Sequence, residues 1–313
     1  MRTTNADAPA TSPRGSVVAI GVFDGVHRGH QAVLATVVAL AKARDLDAVV
    51  VTFDPTPAEV LSPSNAPKLL QSLSDRMRSF EALGLDEVRV VEFSTAASQE
   101  EAGDFVRRVL VENCRARVVV VGEDFHFGRG RGGSVESLRT WGSELGFEVA
   151  PVTLQGDSER FSSTRARALV ARGAVREVRE VLSRPFGYTE VEVVHGDARG
   201  GAELGYPTAN IDPVNRLLRP ALGIYAGYAD LASGERRAAA ISVGKRPQFY
   251  ENGELLIEAF LLDFSGDLYG QAISLYFLDF LRGELKFESV DDLVGQMALD
   301  VESARNVFVS YHD

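Results

Sequence analysis

The sequence predicts an α/β doubly wound domain followed by a small antiparallel β-barrel and a closing C-terminal helix. Between residues 17 and 156, short apolar runs alternate with segments whose apolar residues recur every three or four positions. That alternation is typical of buried parallel strands covered by helices. From residue 186 onward, short alternating strands are separated by turns rich in Gly, Asp and Asn, which indicates antiparallel sheet. A length of 313 residues also favours two domains over one.

The first half contains five apolar runs that we expect to be buried strands: VVAIGVF, DAVVVTF, EVRVVEF, ARVVVVG and FEVAPV. HQAVLATVVALAKAR and SDRMRSFEALG carry apolar residues at helical spacing and predict amphipathic helices between them. The opening MRTTNADAPATSPR is small and polar, without the apolar region of a secretory signal. We therefore expect residues 1–15 to form a flexible tail and residues 16–184 to form the first domain.

In the second half, the helical segment TRARALVARGAVREVREVLSR leads to a domain boundary expected between Arg184 and Pro185. Residues 185–313 are then the second domain. Its predicted strands are TEVEVVHG, GIYAGYADL, RRAAAISVG, LLIEAFLLDF and AISLYFLDF, and DDLVGQMALDVESARNVFVSY predicts the closing helix. Several short antiparallel strands followed by one helix indicate a small barrel.

Charge and composition exclude several classes of function. With 33 Lys+Arg against 44 Asp+Glu, the formal net charge is -11, which argues against neutralisation of a nucleic-acid backbone. No apolar stretch approaches the roughly 18 residues that a membrane-spanning helix needs, so we expect no membrane partner and a cytoplasmic protein. Cys114 is the only cysteine, cannot form an intramolecular disulfide and has no metal-ligand spacing around it. It should be a passive, reduced thiol.

The decapeptide GVFDGVHRGH, residues 21–30, follows a predicted strand and opens a predicted helix. Ligands of α/β sheets bind at this kind of junction. Glycines at 21, 25 and 29 allow a ligand to approach the backbone, and the N–H groups of the helix N-terminus attract phosphate. His27 and His30 are three residues apart and share one helix face. A glycine turn with two ordinary histidines is the alternative; zinc is disfavoured because no third ligand follows at a sensible spacing.

A second cluster, FSSTRAR at residues 161–167, also lies at a predicted helix start, where Ser and Thr can cap the first turn. Capping does not require Arg165 and Arg167, whose guanidinium groups could bind a triphosphate. GEDFHFG, residues 122–128, ends the strand ARVVVVG at the edge where ligands bind.

The segment GDARGGAELGYPTAN, residues 196–210, combines four glycines that can cradle phosphates with a Pro-Thr-Ala-Asn sequence. Thr208 and Asn210 alternate on one side of an extended segment, and both carry oxygen ligands that suit Mg²⁺. The alternative is a hairpin loop that leads into a proline-started strand.

Glu258, in LLIEAFLLDF, has apolar neighbours on both faces of its predicted strand. Burial of an unpaired carboxylate is unfavourable, but a general base that takes a proton from a substrate hydroxyl would justify it. Partial loss of solvent would raise the pKa of such a carboxyl. The alternative is a barrel-end glutamate that bonds to a loop backbone.

These motifs resemble a known family. GVFDGVHRGH with FSSTRAR is similar to the adenylyltransferase half of the prokaryotic bifunctional riboflavin kinase/FMN adenylyltransferases, which belong to the nucleotidyltransferase superfamily. GDARGGAELGYPTAN, GIYAGYA, ISVG, IEAFLLDFSGDLYG and LRGELKFES resemble the riboflavin kinase half. The resemblance covers nearly all of residues 16–305. It implies a nucleotidyltransferase domain and a riboflavin kinase-like barrel that convert riboflavin to FMN, and FMN to FAD with release of pyrophosphate.

The resemblance also implies roles for individual residues. His27 and His30 would act in catalysis at the ATP phosphates. The adenylyltransferase nucleotide site would comprise Gly21, Phe23, Asp24, Gly29, Asp124, Ser163, Thr164 and Arg167. The kinase nucleotide site would comprise Gly196, Gly200, Gly205, Thr208 and Asn210, the last two as Mg²⁺ ligands. Glu258 would activate the 5′-hydroxyl of riboflavin, and Arg282 would help hold the flavin or its phosphate. Riboflavin, FMN and ATP are the implied small-molecule partners, and a homo-oligomeric state is left open.

Four positions depart from the residues usual in the family: Thr56, His126, Gln248 and Phe260. They motivate an alternative, a specialised paralogue that keeps one activity or acts on a modified flavin. Two further alternatives are a nucleotidyltransferase that uses another phosphorylated acceptor and a flavin-binding regulatory protein without catalysis.

Overall fold

A computed structural model describes residues 1–10, 13–153, 155–194, 208–245 and 255–312 of the chain. The chain divides into two compact units, Met1–Ser163 and Thr164–Asp313. The division lies about twenty residues before the expected boundary at Arg184 and Pro185, so the helical segment between them falls in the second unit. The amphipathic pattern predicts the helices but does not say which core they cover.

The first unit contains a parallel sheet. In chain order its strands are β1 (Arg2–Asn5), β2 (Ser16–Ile20), β3 (Asp47–Phe53), β4 (Glu87–Val91), β5 (Ala116–Gly122), the short pair β6 (His126–Phe127) and β7 (Gly133–Ser134), and β8 (Glu148–Val152). Among the described residues, six of them form one parallel sheet in the order β1-β4-β3-β2-β5-β8, and β6 pairs with β7 separately. The sheet order confirms the predicted α/β class.

Helices cover both faces of this sheet. They are α1 (Arg28–Arg44), α2 (Pro57–Leu61), α3 (Leu73–Ala82), α4 (Ala102–Phe105), which continues as a π-helix (Val106–Asn113), and α5 (Val135–Leu145); short 3₁₀ turns span Ala97–Gln99 and Arg129–Arg131. Alternate residues of β2 enter different cores. Val17 and Ala19 pack with residues of α1 and α3, whereas Val18 and Ile20 pack with the π-helix and α5. Because strand side chains alternate between faces, this division confirms the doubly wound arrangement.

The expected flexible tail is wrong for its first residues, because β1 pairs in parallel with β4. The strand is polar, so hydrophobic periodicity does not reveal it. Its side chains bind charged partners instead. Arg2 donates to Asp47 (2.8 Å) and Glu87 (3.3 Å), and the Thr4 hydroxyl donates to Glu87 (2.9 Å).

The second unit is a barrel with helices on its outside. Its elements are α6, which begins at the unit boundary (Ser163–Ala171), α7 (Val175–Leu182), β9 (Phe186–Val194), β10 (Thr208–Ile211), β11 (Gly223–Asp230), β12 (Arg236–Lys245), β13 (Leu255–Leu261), β14 (Ala272–Arg282) and α8 (Val290–His312). In the part of this unit that the structure describes, six antiparallel strands close in the order β10-β13-β12-β11-β14-β9. Both the predicted barrel and its closing helix are confirmed.

Side chains of the described strands fill the barrel interior. Tyr188, Tyr225, Ile241, Ile257 and Phe277 are almost completely buried. Helix α8 packs against β11, β12 and β14. Within the described ranges, no helix has the length and apolar character needed to cross a bilayer.

Candidate active sites

The loop between β2 and α1 carries the first candidate site at the carboxyl edge of the parallel sheet. Phe23, Gly25 and Val26 have positive φ angles of 53°, 79° and 37°. For Phe23 and Val26 this is a strained conformation, because a Cβ atom crowds the backbone there. Such strain is most often kept where a loop has a functional shape. The chain becomes extended at His27, which is the N-cap of α1.

The two histidines of this loop stack on each other. The backbone N–H of His30 donates to Nδ1 of His27 (3.3 Å), and the ring centroids are 3.6 Å apart. His30 also meets the ring of Phe23 edge-on at 5.1 Å. His27 is buried and His30 is half-buried. The shared face expected from the spacing is present, while contact of either imidazole with a phosphate stays a prediction.

Gly29 is needed at this turn because of the His27 ring. A Cβ atom at Gly29 would lie 3.1 Å from Cε1 and 3.2 Å from Nδ1 of His27, closer than ordinary van der Waals contact. A side chain there would displace the imidazole from the helix N-terminus. A Cβ atom at Gly21 would likewise be too close to a neighbouring ring, because two ring carbons of Phe23 would lie 3.1 Å from it.

The second motif meets the first through its opening residues. The Ser163 hydroxyl donates to the carbonyl of Asp24 (2.8 Å), and the Arg28 guanidinium lies 4.9 Å from the centre of the Phe161 ring. Distant parts of the sequence are thus brought together in the first unit. Thr164 and Arg167 follow in α6, within the second unit.

Two acidic residues of the predicted nucleotide site have other partners. The Asp24 carboxylate is almost completely buried and accepts the backbone N–H groups of Leu70 (2.9 Å) and Gln71 (3.2 Å), so it holds a neighbouring segment in place. The exposed Asp124 accepts from Arg160 (2.8 Å), and this hydrogen bond lowers the pKa of the Asp124 carboxyl. Nucleotide contacts by both residues stay predictions.

A cavity of about 400 Å³ lies beyond the carboxyl ends of β5 and β8. Glu123, Phe125 and His126 line it from the loop after β5, together with Ser134, Val135, Glu136, Arg139, Pro151 and Thr153. His126, which departs from the family pattern, is therefore exposed to this cavity rather than packed in the core.

The second candidate site is a cavity of about 690 Å³ on the outside of the barrel, beneath α8. Thr208, Ser242, Glu258 and Arg282 are among its polar lining residues. Its other lining residues are Ile224, Ala240, Ile241, Phe260, Glu284, Leu285, Lys286, Phe287, Leu293, Met297, Asp300 and Val301. A largely apolar cavity of this size with a few convergent polar groups is typical of a small-molecule binding site.

Strand register brings three polar residues together beside this cavity. Glu258 of β13 lies opposite Asn210 of β10 and opposite Ser242 of β12. Directly opposed residues of antiparallel strands point to the same face. Ala209 and Ile211 are buried on the other face, so the predicted common side of Thr208 and Asn210 is the outer one.

Asn210 fits the predicted role of a cation ligand. It is 5 % exposed, and its buried Oδ1 has no hydrogen-bond partner among the described residues. A buried oxygen without a donor is rare, and an amide oxygen beside a hydroxyl and a carboxylate is the donor set that Mg²⁺ prefers. Gly196, Gly200 and Gly205, predicted to cradle phosphates, lie outside the described residues.

Glu258 is partly buried, as the apolar strand pattern predicts. Burial raises the pKa of its carboxyl above the ordinary glutamate value. A carboxylate with a raised pKa is a better proton acceptor than a solvated one. The observed burial and position in the cavity are consistent with a general base.

Arg282 is held by a residue that sequence reasoning missed. Its Nε donates to Oδ1 of Asp300 (2.9 Å) and its Nη2 to Oδ2 (2.6 Å), while Gln296 donates to Oδ1 from one helical turn earlier (3.0 Å). Ser242 was also missed. The four-residue spacing of Gln296 and Asp300 on a predicted helix could have indicated that the two side chains interact. A single serine in a strand, such as Ser242, gives no comparable signal.

The described residues contain no group of three His, Cys, Asp or Glu that could hold a metal ion. Cys114 is a buried free thiol, and burial raises its pKa to about 12. The expected passive character of this thiol agrees with both observations.

Comparisons with known proteins cover both units. The FAD synthetase family profile matches residues 10–165, and the riboflavin kinase profile matches residues 182–308. The bifunctional riboflavin kinase/FMN adenylyltransferase of Listeria monocytogenes is 36% identical over 95% of this chain and 94% of its own length. The Escherichia coli K12 protein of the same name is 36% identical over 94% of this chain and 93% of its own length.

One solved structure is similar over nearly the full length of the chain. The crystal structure titled as a macrolide-efflux protein from Streptococcus pneumoniae has a TM-score of 0.87 and 32% identity, and covers 98% of this chain and 99% of its own. The sequence identity to these relatives and the two profile matches show that the chain belongs to the bifunctional riboflavin kinase/FMN adenylyltransferase family.

Proposed function

We propose that this chain makes FMN from riboflavin in its second unit and FAD from FMN in its first. The observation that carries the proposal is the cavity beside the barrel. There the partly buried Glu258 lies opposite Asn210, whose buried oxygen lacks a donor among the described residues. Family membership supports the same pair of reactions.

In the kinase reaction, Glu258 takes the proton from the 5′-hydroxyl of riboflavin. The oxygen then attacks the γ-phosphorus of ATP, and ADP leaves. The apolar wall of the cavity, with Leu293 and Met297 from α8, would pack on the flavin ring and exclude water. Thr208 and Asn210 would hold Mg²⁺, which supplies neutralisation of phosphate charge when it is bound.

Thr208 also lines a second, smaller cavity of about 90 Å³, which Phe264, Leu268 and Tyr269 border. It therefore separates a large apolar cavity from a small one. We infer that the flavin occupies the large cavity and that the nucleotide approaches from the other side of Thr208. The Thr208 hydroxyl would then lie between the flavin and the nucleotide, where it could contact the phosphate that is transferred.

In the adenylyltransferase reaction, the FMN phosphate attacks the α-phosphorus of ATP in line, and pyrophosphate leaves. No covalent enzyme intermediate is required. Catalysis then depends on positioning and on donors that match the charge of the transition state. His27 and His30, stacked at the N-terminus of α1, would supply such donors, together with Ser163. Phosphate contacts by Thr164 and Arg167, which belong to the second unit, stay predictions. A cytoplasmic location stays a prediction.

Chromatography of a reaction that contains riboflavin, ATP and Mg²⁺ tests the proposal. We expect FMN to appear first and FAD to follow, with pyrophosphate released in proportion to FAD. Accumulation of FMN alone would restrict the chain to the kinase reaction. A panel of phosphorylated acceptors serves as the control, and a preference for an acceptor without flavin would contradict the adenylyltransferase assignment.

A further inference from the structure

A buried arginine that neither motif contains lies under the strained loop of the first unit. Arg76, on α3, is 1 % exposed, which is unusual for an arginine. Its Nη1 donates to the carbonyl of Val22 (2.7 Å), to the hydroxyl of Thr52 (3.1 Å) and to the carbonyl of Phe53 (3.3 Å). Asp54 is its carboxylate partner, at 3.6 Å.

Thr52 completes this arrangement. Its side chain is fully buried, accepts from Arg76 and donates its own hydroxyl hydrogen to the Val22 carbonyl (3.1 Å). The carbonyl of Val22 therefore accepts two hydrogen bonds, one from the neutral Thr52 hydroxyl and one from the charged Arg76 guanidinium. Charge-assisted hydrogen bonds of this kind are about twice as strong as neutral ones.

The orientation of one peptide unit follows from these contacts. In a trans peptide the C=O and the N–H point in opposite directions. With the Val22 carbonyl fixed toward Arg76, the N–H of Phe23 must point away from the guanidinium. This peptide opens the positive-φ turn that runs from Phe23 to Val26, in the loop where backbone N–H groups are expected to meet phosphate.

We propose that Arg76 is a positioning residue of the adenylyltransferase site: through the Val22 carbonyl it fixes the backbone of the nucleotide-binding loop. The inference rests on the proposed function of the first unit. Arg76 itself would touch no substrate. Its loss should therefore misplace the loop, and a displacement of about 1 Å in an active site can lower a rate about 100-fold.

The test compares Arg76→Met with a matched control, Arg89→Met, in the full chain. Arg89 is equally buried, but it donates to the carbonyls of Ala8 (2.6 Å) and Pro9 (3.2 Å) and pairs with Glu87. Both variants should lower the melting temperature of the first unit. Only R76M should lower kcat for FAD formation, by about 10- to 100-fold, while phosphorylation of riboflavin stays unchanged in both.

Two conservative variants keep the inference testable if R76M does not fold. Arg76→Lys retains a charged donor and should recover most of the kcat. Thr52→Val removes one donor to Val22 without changing charge and should lower kcat several-fold, with a smaller change in KM for ATP. An unchanged kcat in folded R76M or in T52V overturns the inference. A wild-type chain that makes no FAD overturns both the inference and the proposed function.

Discussion

At the scale of single residues, the most informative group is Glu258, because its environment opposes its charge. Burial raises the pKa of this carboxyl, so the ionised form is less stable in the folded protein than in the unfolded chain. Below the ordinary carboxyl pKa the group is neutral in both states, so its burial does not lower the stability of the folded protein through charge. As pH rises through the raised pKa, the carboxyl ionises in the folded state as well, and the full loss of folding stability from the buried charge is present.

Glu258→Gln should therefore have opposite effects on stability and on activity. At pH 7 the variant should melt at a higher temperature than the wild type, and the difference should disappear near pH 3. Phosphorylation of riboflavin should fall by at least about 100-fold, within the usual effect of losing a general base. Thermal melting and initial rates across pH check both effects.

The matched control is Glu192→Gln, an exposed glutamate on β9, which should change neither property. The wild-type rate should decline on the acidic side with a midpoint above that of an ordinary glutamate, because only the ionised Glu258 can accept the proton. A midpoint at or below the ordinary glutamate value would contradict the role of the buried carboxylate.

Residue-scale inferences from sequence succeeded where the signal was local. The three-residue spacing of His27 and His30 gave their shared face, and apolar neighbours gave the burial of Glu258. The partners of Asp24 and Arg76 could not be predicted, because Leu70 and Val22 lie 46 and 54 positions away along the chain. Only the folded chain brings them together.

At the scale of elements, α8 lines the larger cavity beside the barrel, and among the described residues two ion pairs of different kinds link it to the barrel. Asp300 and Arg282 form a largely buried bidentate pair, and Arg305 forms an exposed pair with Asp263. Water weakens the second pair much more than the first. The two pairs therefore provide a comparison within one helix.

Asp300→Asn should destabilise the second unit by about 2–3 kcal/mol, somewhat less than the loss for a fully buried pair because Arg282 is partly exposed. It should also raise KM for riboflavin, since Arg282 would lose the partner that holds it at the cavity wall. Arg305→Met should leave both nearly unchanged. Denaturant unfolding and kinase kinetics provide the readouts, and equal effects of the two variants would contradict this account of α8.

Element boundaries show what periodicity can and cannot give. The predicted segments DAVVVTF and ARVVVVG coincide with β3 (Asp47–Phe53) and β5 (Ala116–Gly122), because both are short, largely apolar and, apart from the exposed Arg117, almost entirely buried. The strand β1 was missed because its contacts are polar. The placement of α6 and α7 differed because an amphipathic face does not identify its partner surface.

At the scale of the whole molecule, each unit has a core and a candidate site of its own. The first unit carries its site at the carboxyl edge of a parallel sheet, where fixed backbone groups can position a nucleotide. The second carries its site outside a filled barrel, where strand register aligns Asn210, Ser242 and Glu258. No residue belongs to both candidate sites. A mutation in one site should therefore abolish one activity and leave the other intact.

The most direct test of this separability is product analysis of His30→Ala and Glu258→Gln with riboflavin, ATP and Mg²⁺. We predict that H30A accumulates FMN and forms almost no FAD. The E258Q variant should leave riboflavin unreacted and still convert added FMN to FAD at the wild-type rate. Loss of both activities in either folded variant, or FAD formation by H30A at the wild-type rate, would contradict two independent sites.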